Sequence, residues 1–92
     1  MVEHLVASAT ALGLPKEQAT RLATQTCLGA GKMLVEGSDD PSQLRKNVTS
    51  PNGTTHAALQ NFEARGFNEI VDSSVKAATS RAAELGSTLG KQ

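Results

Sequence analysis

Apolar residues recur three and four positions apart along most of this chain, which is the spacing of one face of an amphipathic helix. Such faces run over Val2–Leu12, Ala19–Leu34, Ala57–Phe62 and Ile70–Leu85. No segment shows the clean two-residue alternation that is typical of a half-buried strand. We therefore predict an all-α fold with four longer helices and one short helix, followed by a frayed tail from Gly86 onward.

Start and stop signals separate these helices. Gly13 ends the first apolar pattern. Pro15 suits the first position of the second helix, because its missing N–H would be unpaired there in any case. Gly37 is a natural C-cap for that helix. Asp40 followed by Pro41 predicts the start of the short helix, with the aspartate as its cap.

The composition predicts a thin hydrophobic core. The chain has 92 residues, enough for one small domain, with two phenylalanines and neither tryptophan nor tyrosine. The core must therefore come from Leu, Val, Ala and Met. Cys27 lies on the apolar face of the second helix and is expected to be a small buried hydrophobe. Because such a core needs closely approaching helices or a second chain, we predict an oligomer.

Charge and hydropathy exclude several classes of protein. The formal net charge is zero, and the basic residues are scattered without aromatic neighbours, which argues against nucleic-acid binding. No apolar run approaches the ~20 residues of a membrane span, and no signal-peptide pattern follows Met1. These features and the single cysteine predict a cytoplasmic protein that binds no membrane. Because an amphipathic pattern begins directly after Met1, we expect the chain to be a fragment of a longer protein.

We predict neither a metal site nor a pair of acid–base groups. His56 is far in sequence from the other histidine, His4, so it is expected to be a solvated surface residue. The carboxylates are interpreted as helix caps and solvated faces rather than as general acids or bases.

The segment Ser50–Thr55 concentrates the groups that could bind a ligand. It is a Ser-Pro-Asn-Gly turn followed by two threonines at a predicted helix start. Such a turn aims several backbone N–H groups at one point, and the helix start adds the positive end of a macrodipole. A carboxylate or phosphate would therefore fit here. An ordinary connection between two helices is the alternative interpretation, since Pro-Asn-Gly turns are common.

Longer runs of the sequence resemble one enzyme family. The run Gln43–Thr55, with Phe62-Glu63 and Gly66-Phe67 after it, resembles a signature of pyrroline-5-carboxylate reductases, and runs 12–15 and 28–34 match the same family in the same order. The resemblance implies that residues 1–92 are the C-terminal dimerisation and substrate-binding domain. It implies a full-length enzyme that reduces 1-pyrroline-5-carboxylate to L-proline with NADPH or NADH. It also implies a homodimer of interlocking helices, and assembly of dimers into a ring of five.

The same resemblance implies roles for individual residues. The turn and the helix start would bind the substrate, through Ser50, Gly53, Thr54 and Thr55. Thr55 would also be the catalytic residue, hydrogen-bonded to the ring nitrogen so that the C=N bond is oriented for hydride attack. Asn47 would lie near the cofactor.

Two departures from the family pattern bear on function. Asn52 stands where the family usually has the first of two glycines, and the turn is expected to survive because asparagine tolerates the left-handed region. The family's glycine-rich NAD(P) motif is absent, along with its N-terminal Rossmann domain, so the isolated chain is expected to be inactive. The alternatives are a purely structural helical oligomerisation module and the helical half of a related Rossmann reductase of another imine or 2-oxo acid.

Overall fold

The computed structural model describes the backbone of residues 1–90 and the side chains through Ser87, and it contains five α-helices there. These are α1 (Val2–Ala11), α2 (Lys16–Glu36), α3 (Pro41–Asn47), α4 (Thr54–Ala64) and α5 (Phe67–Gly90). No strand occurs within residues 1–90, so the all-α prediction is confirmed, with α3 as the short helix. The chain divides into two compact units, Met1–Lys46 and the part that begins at Asn47.

In the first unit, α1 packs against α2 across a tight connection. The chain reverses at Gly13, whose φ of 115° lies in a region that favours glycine. Pro15 is the N-cap of α2 rather than its first residue, because its ψ of 141° is extended. The carbonyl of Pro15 nevertheless accepts the first helical bond, from the Ala19 N–H at 2.9 Å.

The end of α2 and the start of α3 follow the predicted signals. Gly37 is the C-cap of α2, and a Cβ at this position would lie 2.6 Å from the Met33 carbonyl oxygen, so close packing explains the glycine. Asp40 caps α3, since its Oδ1 accepts a hydrogen bond from the Gln43 N–H at 2.8 Å.

In the second unit, α4 and α5 are joined at Gly66, whose φ of 71° is left-handed. Phe62 near the end of α4 and Phe67 at the start of α5 stack, with ring centroids 4.6 Å apart and an interplanar angle of 19°. The predicted frayed tail from Gly86 onward was wrong as far as Gly90, because α5 continues to that residue, and the last two residues of the predicted tail lie outside the described residues. Helix propagation adds one hydrogen bond per residue, so a long helix can extend through a single glycine.

The single chain buries very little. Among residues whose side chains are described, only Ala19 is buried, at 1% exposure. Large apolar residues on the apolar faces of α2 and α5 are about half exposed or more, including Leu22, Met33, Ile70 and Val75. Burial of such side chains is the main stabilising term in folding, so these faces require a further surface to cover them.

Cys27 differs from its prediction for the same reason. It is exposed rather than buried, because the face of α2 that bears it is not covered within the single chain.

Candidate functional site

The segment between α3 and α4 contains a hydrogen-bonded turn. The Gly53 N–H donates to the Ser50 carbonyl oxygen at 2.9 Å, which closes a four-residue turn. Pro51 occupies the second position, and Asn52 occupies the third with a φ of 61°. This is the pattern of a type II turn, which requires a positive φ at its third position.

Asn52 therefore adopts the left-handed conformation that was expected of an asparagine at this position. It is the only non-glycine residue with a positive φ in residues 1–90. Asparagine tolerates this region because its short polar side chain can hydrogen-bond locally. The expectation that asparagine can adopt the left-handed region here is confirmed, and the turn is closed around it.

We expect Asn52→Val to lower the free energy of unfolding by about 1–2 kcal/mol, since other L-residues adopt the left-handed region at that cost. Asn52→Gly should retain the turn. Asn61→Val is the matched control, because Asn61 lies within α4, where asparagine and valine have similar helix propensities. Urea unfolding measures all three. Equal losses at positions 52 and 61 would contradict the assignment of strain to Asn52.

Gly53 is required for close approach rather than for its backbone angles. Its φ of −84° and ψ of −177° are open to any residue. A Cβ at this position would lie 3.1 Å from the Ser50 carbonyl oxygen and 3.3 Å from the Ser50 Cβ. A larger residue would therefore displace the turn by a few tenths of an ångström.

The start of α4 presents unpaired backbone donors beside this turn. Gly53 is the N-cap and makes no side-chain capping bond. Its carbonyl accepts from the Ala57 N–H at 3.1 Å. The amides of the three preceding helical residues, Thr54, Thr55 and His56, have no carbonyl within the helix to bond. Together with the helix macrodipole, they form a site with the electrostatics for an anion.

The structure places the predicted substrate-binding residues together on this one turn and helix start. Ser50 and Thr54 are exposed, whereas Gly53 and Thr55 are half-buried. Asn47 is the last residue of α3 and is exposed.

His56 was predicted to be a solvated surface residue, but it is half-buried. No sequence signal for this burial exists, because histidine is common both on surfaces and in partly buried positions.

The described residues offer little sign of a second functional site. No cluster of three or more His, Cys, Asp or Glu side chains that could hold a metal ion occurs there. The ion pairs given by the structure join neighbouring turns of exposed helix faces, as in the Lys76–Asp72 pair at 2.9 Å. None of the helices in residues 1–90 has the length and hydropathy needed to traverse a lipid bilayer.

Comparison with known proteins relates residues 1–85 to a family model described as pyrroline-5-carboxylate reductase dimerisation. A pyrroline-5-carboxylate reductase of Pseudomonas aeruginosa is 49% identical over 80 residues, which cover 87% of this chain and 29% of that protein. Pyrroline-5-carboxylate reductase 3 of Rattus norvegicus is 45% identical over 83 residues, which cover 90% of this chain and 30% of that protein. The chain thus spans less than a third of the length of these curated relatives.

Solved structures of similar proteins match as well. A pyrroline-5-carboxylate reductase from Coxiella burnetii superposes with a TM-score of 0.86 at 43% identity, covering 91% of this chain and 31% of that one. A Plasmodium falciparum pyrroline carboxylate reductase with NADP bound superposes with a TM-score of 0.81 at 31% identity, covering 84% of this chain and 29% of that one.

Proposed function

This chain belongs to the pyrroline-5-carboxylate reductase dimerisation family, and we propose that it is the dimerisation and substrate-binding part of an enzyme that reduces 1-pyrroline-5-carboxylate to L-proline with NADPH or NADH. The observation that supports this activity most directly is the turn closed by Ser50 and Gly53 at the start of α4. It offers an anion site in a chain that is otherwise helical scaffold.

The substrate carboxylate is bound by the start of α4 in this proposal. The unpaired amides of Thr54 and Thr55 donate to it, and the hydroxyls of Ser50 and Thr54 lie on the exposed side of the turn. Gly53 lets the ligand approach the backbone closely, since it has no side chain in the way.

Thr55 orients the reacting bond. Its half-buried side chain lies on the first turn of α4, next to the amides that bind the carboxylate. A hydroxyl there can hydrogen-bond the ring nitrogen while the carboxylate is anchored, which positions the C=N bond and stabilises the nitrogen as its charge changes. The nicotinamide cofactor supplies the hydride, so the protein needs no strong base at this site.

The described residues do not form a nucleotide-binding fingerprint of their own. Such a motif needs a strand, a glycine-rich loop and a helix. Gly29 and Gly31 lie instead inside α2. We therefore assign cofactor binding mainly to a Rossmann domain outside this chain. Asn47, at the end of α3, would be the residue of this chain that contacts the cofactor.

Oligomer formation is a property of this family of dimerisation domains. We propose specifically a homodimer in which the partner subunit covers the apolar faces of α2 and α5, because Leu22, Met33, Ile70 and Val75 are uncovered in the single chain. Dimers would assemble further into a ring of five. A cytoplasmic location is also part of the proposal, since a single free cysteine, Cys27, suits a reducing compartment.

We expect the full-length enzyme to oxidise NADPH or NADH when 1-pyrroline-5-carboxylate is supplied, and the isolated chain to show no turnover. Cofactor absorbance measures both, and circular dichroism of the isolated chain verifies that its helices have formed. Turnover by the isolated chain would contradict the proposal that the cofactor is bound mainly by a domain outside this chain. Preference for a different imine or a 2-oxo acid in substrate profiling would instead favour a related Rossmann reductase.

Gly53→Ala in the full-length enzyme is expected to raise KM roughly tenfold, less than the 10²-fold loss that about 1 Å of misplacement produces. The reason is the contact of its new Cβ with the Ser50 carbonyl oxygen at 3.1 Å. Steady-state kinetics measure the effect, and sedimentation verifies that the oligomer is retained. An unchanged KM would show that the substrate does not depend on this turn.

A further inference from the structure

We propose that Asn52 is a site of spontaneous deamidation through a succinimide, and that the product disables the turn that binds the substrate. Asn52 is exposed and is followed directly by Gly53. The chain has three other asparagines, and each precedes a residue whose side chain hinders attack by its backbone nitrogen; they are Asn47 before Val48, Asn61 before Phe62 and Asn68 before Glu69.

The chemistry needs only the two residues and water. The backbone nitrogen of Gly53 attacks the side-chain carbonyl carbon of Asn52, a C–N bond forms, and ammonia leaves with the proton of that nitrogen. The resulting five-membered succinimide is then opened by water at either of its two carbonyls. One opening gives aspartate, and the other gives isoaspartate, in which the backbone runs through the former side chain.

The turn geometry controls how often this attack occurs. The Gly53 N–H donates to the Ser50 carbonyl oxygen at 2.9 Å, so this hydrogen bond must break before the nitrogen can react. The φ of 61° at Asn52 favours such opening, since L-residues adopt the left-handed region at a cost. Modification should therefore be slower than in the unfolded chain, and slower again when an anion bound at the start of α4 stabilises the turn.

Both products would weaken the binding of an anion at this turn. Each introduces a negative charge two residues before Thr54, beside the amides that offer an anion site. Isoaspartate also lengthens the backbone by one carbon, within a turn where a Cβ on Gly53 would already lie 3.1 Å from the Ser50 carbonyl oxygen. This consequence rests on the proposed function, whereas the modification itself does not.

Incubation of the full-length protein in mildly alkaline buffer, followed by tryptic mapping, tests the modification. The tryptic peptide 47–65 contains Asn47, Asn52 and Asn61, so fragmentation compares the three in one measurement. We expect conversion at Asn52 alone, with isoaspartate among the products. If Asn52 remains an amide in the native protein under conditions that convert it in the denatured protein, the modification is ruled out.

The kinetics of aged enzyme test the consequence. We expect KM for 1-pyrroline-5-carboxylate to rise about tenfold, or ~1.4 kcal/mol, in step with the converted fraction. Asn52→Asp should reproduce the part of the rise in KM that is due to charge. Asn52→Gly should age without a rise in KM, and added L-proline should slow the conversion of Asn52. An unchanged KM in fully converted enzyme would overturn the consequence. A failure of the proposed function would be seen separately, because the Thr55→Ala variant would then turn over substrate normally before any ageing.

Discussion

Thr55→Ala in the full-length enzyme is expected to lower kcat/KM by about 10²–10³-fold, the loss typical of removing one donor that stabilises developing charge. Thr55 is half-buried on the first turn of α4, beside the amides that would anchor the substrate carboxylate. Removing its hydroxyl would leave the carboxylate bound but the ring nitrogen without its hydrogen bond. We therefore expect the loss mainly in kcat, measured by steady-state kinetics with 1-pyrroline-5-carboxylate.

Two variants control this measurement. Thr55→Ser keeps the hydroxyl and should retain most of the activity. Thr54→Ala removes an exposed hydroxyl but leaves the backbone amide in place, so its loss should be smaller and lie mainly in KM. Sedimentation should show the same oligomer for all three. Full activity of Thr55→Ala would favour the alternative in which this chain is a purely structural oligomerisation module.

Val71→Glu is expected to weaken dimerisation by about a thousandfold or more. Val71 lies on the apolar face of α5 and is 45% exposed in the single chain. Burying the exposed 45% of one valine stabilises by ~1 kcal/mol, and the position occurs in both subunits, so the lost burial accounts for ~2 kcal/mol, or about thirtyfold. The rest of the expected loss comes from burying an unpaired carboxylate in each subunit. Sedimentation equilibrium over a range of concentrations measures the dissociation constant.

Ser80→Glu is the matched control. Ser80 lies nine residues after Val71 in the same helix, which is about two and a half turns and therefore the opposite face. Ser80→Glu introduces the same charge as Val71→Glu, and the two residues that are replaced, serine and valine, have nearly the same helix propensity. We expect the dimer to persist in this variant. Equal dissociation of the two variants, or a stable Val71→Glu dimer, would contradict the assignment of this face of α5 to the interface.

The helices could be predicted from the sequence because their causes are local. The spacing of apolar residues, the Asp40 cap and the glycine at position 37 act within one or two turns of chain, and each was found where it was predicted. The end of α5 was missed because a glycine weakens a helix without determining where it stops. Pro15 was misplaced by one residue, since a proline suits both the cap and the first turn.

The candidate site could be located, but its geometry could not be predicted. Hydroxyls, glycine and a helix start are visible together in the sequence between Ser50 and Thr55. The contact that makes Gly53 necessary, with the Ser50 carbonyl oxygen, depends on how the turn closes. The half-burial of His56 depends on packing, which residue type alone does not specify.

By itself, the sequence determined that this chain is helical and where Asp40 and Gly37 cap its helices, and it identified one candidate anion site, because periodicity and turn chemistry are short-range properties. Only the tertiary structure decided how tightly Gly53 approaches Ser50, and that the faces bearing Cys27 and Val71 are left uncovered in the single chain. Burial depends on which surfaces meet in space. A pattern along one chain can show that a face is apolar, but not what covers it.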